Sequence, residues 1–165
     1  MRQFVISITI ALAISGCGAA TTSPAPVATQ APSMATVAAT SNLPALAAQY
    51  TAIADAANTK LDQCRKDLTA AGNDLTKAKA AVAECLSAEN QYETSLGAAK
   101  WGSVQSQVNN VIKALGGEQV VFKQMASANS TTAFISASNQ LAAAAGTLLG
   151  AVNVLRSALG LPPSQ

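Results

Sequence analysis

The sequence predicts an all-α protein, an up-down-up-down four-helix bundle formed by residues 42–160. Hydrophobic residues make up 50% of the chain and aromatic residues only 4%, and alanine, the best helix former, is abundant. From Asn42 onward, apolar or small residues recur at alternating steps of three and four along four segments. This is the pattern of helices that pack lengthwise on a neighbour. Because short loops join the segments, consecutive helices are expected to be antiparallel neighbours.

The first two helices are predicted to form a hairpin around the turn Gly72-Asn73-Asp74. Asn42 is a candidate N-cap, and Pro44 stands in the first turn, where its missing N–H costs little. Glycine suits the end of the first helix, and Asp74 suits the N-terminus of the second. The two apolar seams lie at Ala47, Tyr50, Ala54, Ala57, Leu61, Cys64, Leu68 and Ala71, and at Leu75, Ala78, Val82, Cys85, Glu89, Tyr92 and Leu96.

This hairpin register places Cys64 and Cys85 in the same layer of the interface between the two helices. We therefore predict a Cys64–Cys85 disulfide, provided that the protein is exported to a compartment where disulfides persist. A redox-active pair or a metal site is the alternative. It is disfavoured because the sequence has no C-x-x-C motif, no third ligand lies nearby along the chain, and a seam position makes a thiol inert.

The third and fourth helices carry seams at Val104, Val108, Val111, Leu115, Phe122 and Met125, and at Phe134, Ser138, Leu141, Ala145, Leu148, Val152, Leu155 and Leu159. Gly116-Gly117 interrupts the third seam, and two interior glycines cost about 2 kcal/mol relative to alanine. We predict that the third helix is kinked or broken there. Gly160 and the prolines after it end the fourth helix, which leaves residues 161–165 as a C-terminal tail.

A stripe of small residues follows the fourth helix at Ala142, Gly146 and Gly150. In a membrane, such a stripe promotes the association of helices. The same helix, however, carries Asn139, Gln140, Asn153 and Arg156, and the uncharged apolar centre between them is too short to cross a bilayer. We therefore interpret the stripe as close helix packing inside a soluble bundle.

The residues ahead of the bundle indicate export. Arg2 gives a positive start, and the uncharged apolar run Phe4–Ile14 has the length of a signal-peptide core rather than of a membrane span. The run leads into Ile14-Ser15-Gly16-Cys17, an aliphatic residue and two small residues before a cysteine, which resembles the lipobox of bacterial lipoproteins. The resemblance implies that residues 1–16 are removed as a signal peptide and that the sulfur of Cys17 carries a diacylglyceryl group. An ordinary signal peptide is the alternative.

Residues 17–41 are predicted to be a disordered tether that begins at the lipidated cysteine. The segment has no charge, and its prolines stand among alanine, threonine and serine, so it has too little bulky side chain to offset the entropy of ordering. An O-glycosylated, mucin-like stalk is the alternative. We expect an extracytoplasmic protein, lipid-anchored to the cell membrane or the outer membrane. The lipobox resemblance favours the outer membrane, if the host has one, because Gly18 stands where an inner-membrane retention signal would have aspartate.

The composition argues against an enzyme, and we predict no catalytic residue, no metal and no cofactor. The chain has no histidine, which removes the commonest general base and transition-metal ligand, and no G-x-S-x-G, P-loop or dinucleotide motif. The acidic side chains are interpreted as solvated helix faces. Glu89, opposite Leu61, is expected to lean from the rim into water, with a functional carboxylate as the alternative. A formal net charge of +2 without a basic cluster argues against nucleic acid.

The last helix suggests a binding function. No charged residue lies between Lys123 and Arg156, and the outer face of the helix carries Ser136, Asn139, Gln140, Ala143, Thr147 and Asn153. We predict a docking face for a protein partner or a second copy of the chain; an alanine-rich helix buried by its neighbours is the alternative. The expected function is a non-enzymatic interaction or scaffolding module. The alternative is a carrier that binds a small apolar ligand or lipid between the helices near Phe122 and Met125.

Overall fold

The computed structural model describes residues 42–164. The predictions made for the signal peptide, for Cys17 and for the tether lie outside this range. The described residues form a four-helix bundle, as the sequence predicts. Its helices are α1 (Leu43–Ala71), α2 (Leu75–Ala98), α3 (Gln105–Ser127) and α4 (Thr131–Ala158), and a short 3-10 helix, Gly102–Val104, leads into α3.

Local capping sets the helix ends at the two tight turns. The Asp74 carboxylate accepts hydrogen bonds from the backbone N–H groups of Thr76 and Lys77, at 3.0 and 3.1 Å, so it caps α2 as predicted. Gly72 ends α1 with a φ of 53°, in the left-handed region that favours glycine. Ser130 caps α4 by accepting from the N–H of Ala133 at 3.2 Å. Asn42 stands at the N-cap of α1, but its side chain makes no capping hydrogen bond.

The core consists of two apolar clusters stacked along the bundle. We call the first the disulfide cluster; its larger members are Leu61, Cys64, Leu68, Val82, Cys85, Phe122, Met125, Phe134 and Leu141. We call the second the aromatic cluster; its larger members are Tyr50, Tyr92, Leu96, Trp101, Val104, Val108, Val111, Leu115, Leu148, Val152, Leu155 and Leu159. Trp101, which follows α2, is completely buried. Its indole N–H donates to the backbone oxygen of Leu96 at 2.7 Å, so this loop residue is an integral part of the core.

The disulfide cluster contains the predicted cross-link. The sulfur atoms of Cys64 and Cys85 lie 1.98 Å apart, and the two Cα atoms lie 5.4 Å apart, with 21 residues of sequence separation. Both cysteines are buried on the facing seams of α1 and α2. The hairpin register inferred from the sequence therefore places the correct pair together.

Two of the packing predictions are wrong. The first is the alternative of a break in the third helix, because α3 is one continuous helix through Gly116-Gly117; the alternative of a kink there stays a prediction. Leu115 before the glycines and Glu118 after them are both buried on the same helix, so tertiary packing outweighs the intrinsic cost of the glycines.

The second concerns the small-residue stripe. Ala142, Gly146 and Gly150 are exposed rather than packed inside the bundle, and a Cβ atom added at either glycine would meet no atom within 4 Å. The physical reason is the helix period. The bulky residues of α4, such as Leu141, Leu148 and Leu155, are buried in the core. The small residues of the stripe lie on the other side of the helix, which therefore faces away from the core. The stripe therefore lies on the outside of the bundle.

Candidate functional site

The outer face of α4 is exposed and uncharged. Five of the six residues predicted to form a docking face, Ser136, Asn139, Gln140, Ala143 and Thr147, are exposed. The small residues Ala142, Gly146 and Gly150 and the 58% exposed Val154 lie on the same helix. The Thr147 hydroxyl donates to the backbone oxygen of Ala143 at 3.0 Å, so covering this residue would not leave its donor unpaired. A partner could be docked here without desolvating any charge.

Asn153 does not belong to this face. It is half-buried, and its side-chain oxygen accepts a hydrogen bond from the backbone N–H of Ser164 at 2.7 Å. One turn further on, Nε of Arg156 donates to the backbone oxygen of Pro162 at 2.6 Å. These bonds fold residues 161–164 back onto α4. The docking role predicted for Asn153 is therefore wrong, because the side chain holds the C-terminal segment instead.

Among the helices of residues 42–164, α4 is the one whose length and composition would allow it to cross a membrane, so the prediction that its apolar centre is too short for this is wrong. Only 28% of the most apolar 18-residue stretch of this helix is buried inside the bundle. The buried part consists of seam residues that join the two clusters, including Phe134, Leu141 and Leu148. The alternative of an alanine-rich helix mostly buried by its neighbours therefore does not hold for this stretch, most of which is accessible.

Phe122 and Met125, the residues proposed to line an apolar pocket, are both buried in the disulfide cluster. The structure does bring them together, on one face of α3. They share this cluster with Phe134 and Leu141 of α4 and with the two cysteines. Core packing accounts for both side chains.

A buried pair of acidic residues is the feature that the sequence interpretation missed. Glu89 of α2 is 1% exposed and Glu118 of α3 is completely buried, so the predictions of a rim position for Glu89 and a solvated face for Glu118 are wrong. Both residues stand at seam positions. Glu89 is one turn from Cys85 in the disulfide cluster, and Glu118 is one turn from Leu115 in the aromatic cluster. The pair therefore lies at the level where the two clusters meet.

The environment of the pair raises the pKa of both carboxyls. Burial, followed by the neighbouring Glu118 carboxyl and then by Glu93, raises the pKa of Glu89 to about 9. Burial raises the pKa of Glu118 to about 7. Within the described part of the chain, Oε2 of Glu89 and both carboxyl oxygens of Glu118 have no donor other than the pair itself. A proton on Glu89 allows this carboxyl to hydrogen-bond to Glu118, which partly lowers the pKa of Glu118. A carboxyl group without donors around it is far cheaper to bury in its neutral form, so Glu89 carries a proton at neutral pH.

A second polar group lies inside the aromatic cluster. The hydroxyl groups of Tyr50 and Tyr92 are 3.4 Å apart. The buried Arg156 interacts with the hydroxyl group of each tyrosine. Burial raises the pKa of both tyrosines, and Arg156 partly offsets this rise. These hydroxyls therefore remain neutral donors and acceptors that link α1, α2 and α4.

The described residues contain no group of three or more histidine, cysteine, aspartate or glutamate side chains that could hold a metal ion. Comparison with protein-family models, with curated proteins and with solved structures gives no match. The functional argument therefore depends on the chain's own residues. Two features stand out: an exposed, uncharged face on α4 and a buried carboxyl pair between α2 and α3.

Proposed function

We propose that this chain is an exported, lipid-anchored envelope protein whose helical bundle is a non-enzymatic interaction or scaffolding module. The observation that carries the proposal is the outer face of α4. It extends over most of a 28-residue helix, has no charged side chain before Arg156, and presents small residues that allow another backbone to approach closely. Charged residues are instead common on the first hairpin, for example Lys60, Asp62 and Lys66.

The proposal places the anchor at Cys17. The support is the sequence Ile14-Ser15-Gly16-Cys17 after an apolar run, followed by the uncharged, proline-containing residues 18–41. A diacylglyceryl group provides two acyl chains, the number needed for stable anchoring. The buried Cys64–Cys85 disulfide is consistent with an oxidising compartment. The bundle would then stand away from the membrane with the α4 face free to bind a protein partner.

The location is tested by feeding radioactive palmitate to the parent cells and comparing wild type with Cys17→Ala. We expect label on the wild-type protein, and loss of both label and membrane association in the variant. Ser23→Ala, a change in the proposed tether, is the matched control and should keep both. An unlabelled wild-type protein, or a Cys17→Ala protein that remains in the membrane fraction, would refute the anchor.

The docking face is tested with a photoactivatable amino acid at position 139 or 147 of the full chain in the parent cells. We expect one discrete cross-linked product, which is absent when the probe replaces Ser87, an exposed polar residue of α2. A probe at Asn139 should lose its product when Thr147→Lys is added, whereas Ser87→Lys should leave the product unchanged. Circular dichroism should confirm that both lysine variants remain helical.

Native mass spectrometry of the purified protein separates this proposal from the carrier alternative. We expect a ligand-free chain. A lipid or other apolar molecule bound at one copy per chain, together with no position-dependent cross-link from α4, would instead support the carrier. A product containing two copies of the chain would identify the partner as the protein itself.

A further inference from the structure

We propose that Glu89 and Glu118 form a proton-operated latch between the two halves of the bundle. With a proton held by the pair, the α2–α3 interface is closed. When both carboxyls ionise, their repulsion loosens that interface and separates the α1–α2 hairpin from the α3–α4 hairpin.

The latch lies at the interface between the two hairpins, where α2 and α3 are joined by residues 99–104 and by no disulfide. α1 and α2 are joined by the three-residue turn Gly72-Asn73-Asp74 and by the Cys64–Cys85 disulfide, and α3 and α4 are also joined by a three-residue loop. Glu89 belongs to the first hairpin and Glu118 to the second. Repulsion between the two carboxylates therefore acts across the interface between hairpins, where no cross-link opposes it.

Among residues 42–164, the polar contacts that cross between the hairpins include those of Arg156 on α4 with Tyr50 and Tyr92 and two further hydrogen bonds. The side-chain amide of Gln119 donates to Oε2 of Glu93 at 2.7 Å, and Nζ of Lys79 donates to the backbone oxygen of Ala128 at 3.0 Å. Neither donor is directed to the pair, since Oε2 of Glu89 and both oxygens of Glu118 have no donor outside the pair among the described residues. When both carboxyls are ionised, these three oxygens therefore have no donor in this part of the chain to compensate the second negative charge.

Within residues 42–164, few charged or titratable groups surround Glu89 and Glu118, so we attribute the pH response of this interface to these two carboxyls. On α2, the charged or titratable neighbours of the pair are Glu93 and Tyr92. On α3, the neighbouring Gln119 has an uncharged amide side chain. On α1, Leu61 occupies the facing layer of the hairpin register, and Lys60 beside it is exposed. α4 carries no titratable side chain before Arg156, which interacts with Tyr50 and Tyr92.

The direction of the effect follows from proton binding in the two states. An unfolded glutamate has its ordinary pKa, near 4.5, whereas burial raises the pKa of Glu89 to about 9 and that of Glu118 to about 7. The folded bundle thus binds more protons than the unfolded chain throughout this interval. The stability contribution is greatest below pH 4.5 and is lost as the pH rises through 7 and then 9. One excess proton corresponds to about a tenfold fall in the folding constant per pH unit.

The test is urea denaturation of the full chain, followed by far-ultraviolet circular dichroism at closely spaced pH values from 6 to 9. We expect the wild-type folding constant to fall about a hundredfold between pH 7 and pH 9, the result of one excess proton over two pH units. Glu89→Gln/Glu118→Gln should change less than threefold over the same range. Glu84→Gln, which removes an exposed acid from the same helix, should follow the wild type. No histidine titrates in this window.

Amide hydrogen exchange locates the response. After correction for the intrinsic pH dependence of exchange, raising the pH from 7 to 9 should accelerate exchange at least tenfold in residues 86–93 and 115–122, and less at the disulfide-linked end of α1. A flat wild-type denaturation profile between pH 6 and 9 would overturn the proposal even if the double variant failed to fold. So would a wild-type slope that persists in the double variant, or an acceleration spread evenly over all four helices.

Discussion

Reducing the Cys64–Cys85 disulfide should lower the stability of the bundle without changing its fold. The cysteines are 21 residues apart, and on the chain-entropy model the release of a loop of this length costs about 3 kcal/mol. For a helical domain of roughly 120 residues, 1 kcal/mol corresponds to about 4 °C in Tm. The expected fall in Tm is therefore about 10–15 °C. Both cysteines are buried in a packed cluster, so the reduced thiols keep most of their apolar contacts.

The assay is thermal denaturation of the full chain followed by circular dichroism, with and without a phosphine reductant. Cys17→Ala removes the cysteine outside the bundle and should leave the reductant effect unchanged. Cys64→Ala/Cys85→Ala should be insensitive to reductant and at least as unstable as the reduced wild type, because it also loses the sulfur packing. Melting curves of the oxidised and reduced wild type within about 2 °C would refute the chain-entropy reasoning. Two free thiols at Cys64 and Cys85 in protein purified without reductant would refute the cross-link itself.

Four further substitutions test local features of the fold by urea denaturation. Gly116→Ala and Gly117→Ala should each stabilise the protein by about 0.5–1 kcal/mol, because α3 is continuous there and an added Cβ meets nothing within 4 Å; destabilisation would instead favour the kink. Asp74→Ala should cost about 1 kcal/mol through loss of the α2 cap, and an unchanged midpoint would contradict that role. Trp101→Phe should cost about 1–3 kcal/mol, because it leaves the buried backbone oxygen of Leu96 without its donor; a change below 0.5 kcal/mol would show that this bond contributes little.

The first hairpin was predictable from the sequence because several independent signals agree there. The apolar period of α1 and α2, the Gly72–Asp74 turn and the spacing of Cys64 and Cys85 all define the same register. When local propensity, pattern and cross-link agree, few alternative arrangements remain. The position of the turn between α1 and α2 and the cysteine pair found in the structure accordingly match the prediction.

The outer face of α4 was predictable in part. The absence of charge identified the face, and five of its six predicted residues are exposed. Asn153 could not be separated from the others, because its partner is the backbone of Ser164, beyond the glycine and prolines that end the helix. Composition alone suggests that such a tail is free. The small-residue stripe was assigned to the wrong side because alanine and glycine give almost no hydrophobic contrast between the faces of a helix.

The buried acid of α3 was missed because the apolar seam was treated as interrupted at the two glycines. Continuing the seam through them from Leu115 to Phe122 places position 118 inside the core, whatever residue occupies it. The same reasoning already placed Glu89 on the seam of α2, where its charge was taken as a reason to turn it outward. Two carboxyl groups at facing seam positions have another solution, since each can be buried when a proton keeps it neutral. A seam that continues on both sides of an acidic residue is therefore evidence for a protonated interior carboxyl. That is the arrangement from which the proposed sensitivity of the α2–α3 interface to alkaline pH follows.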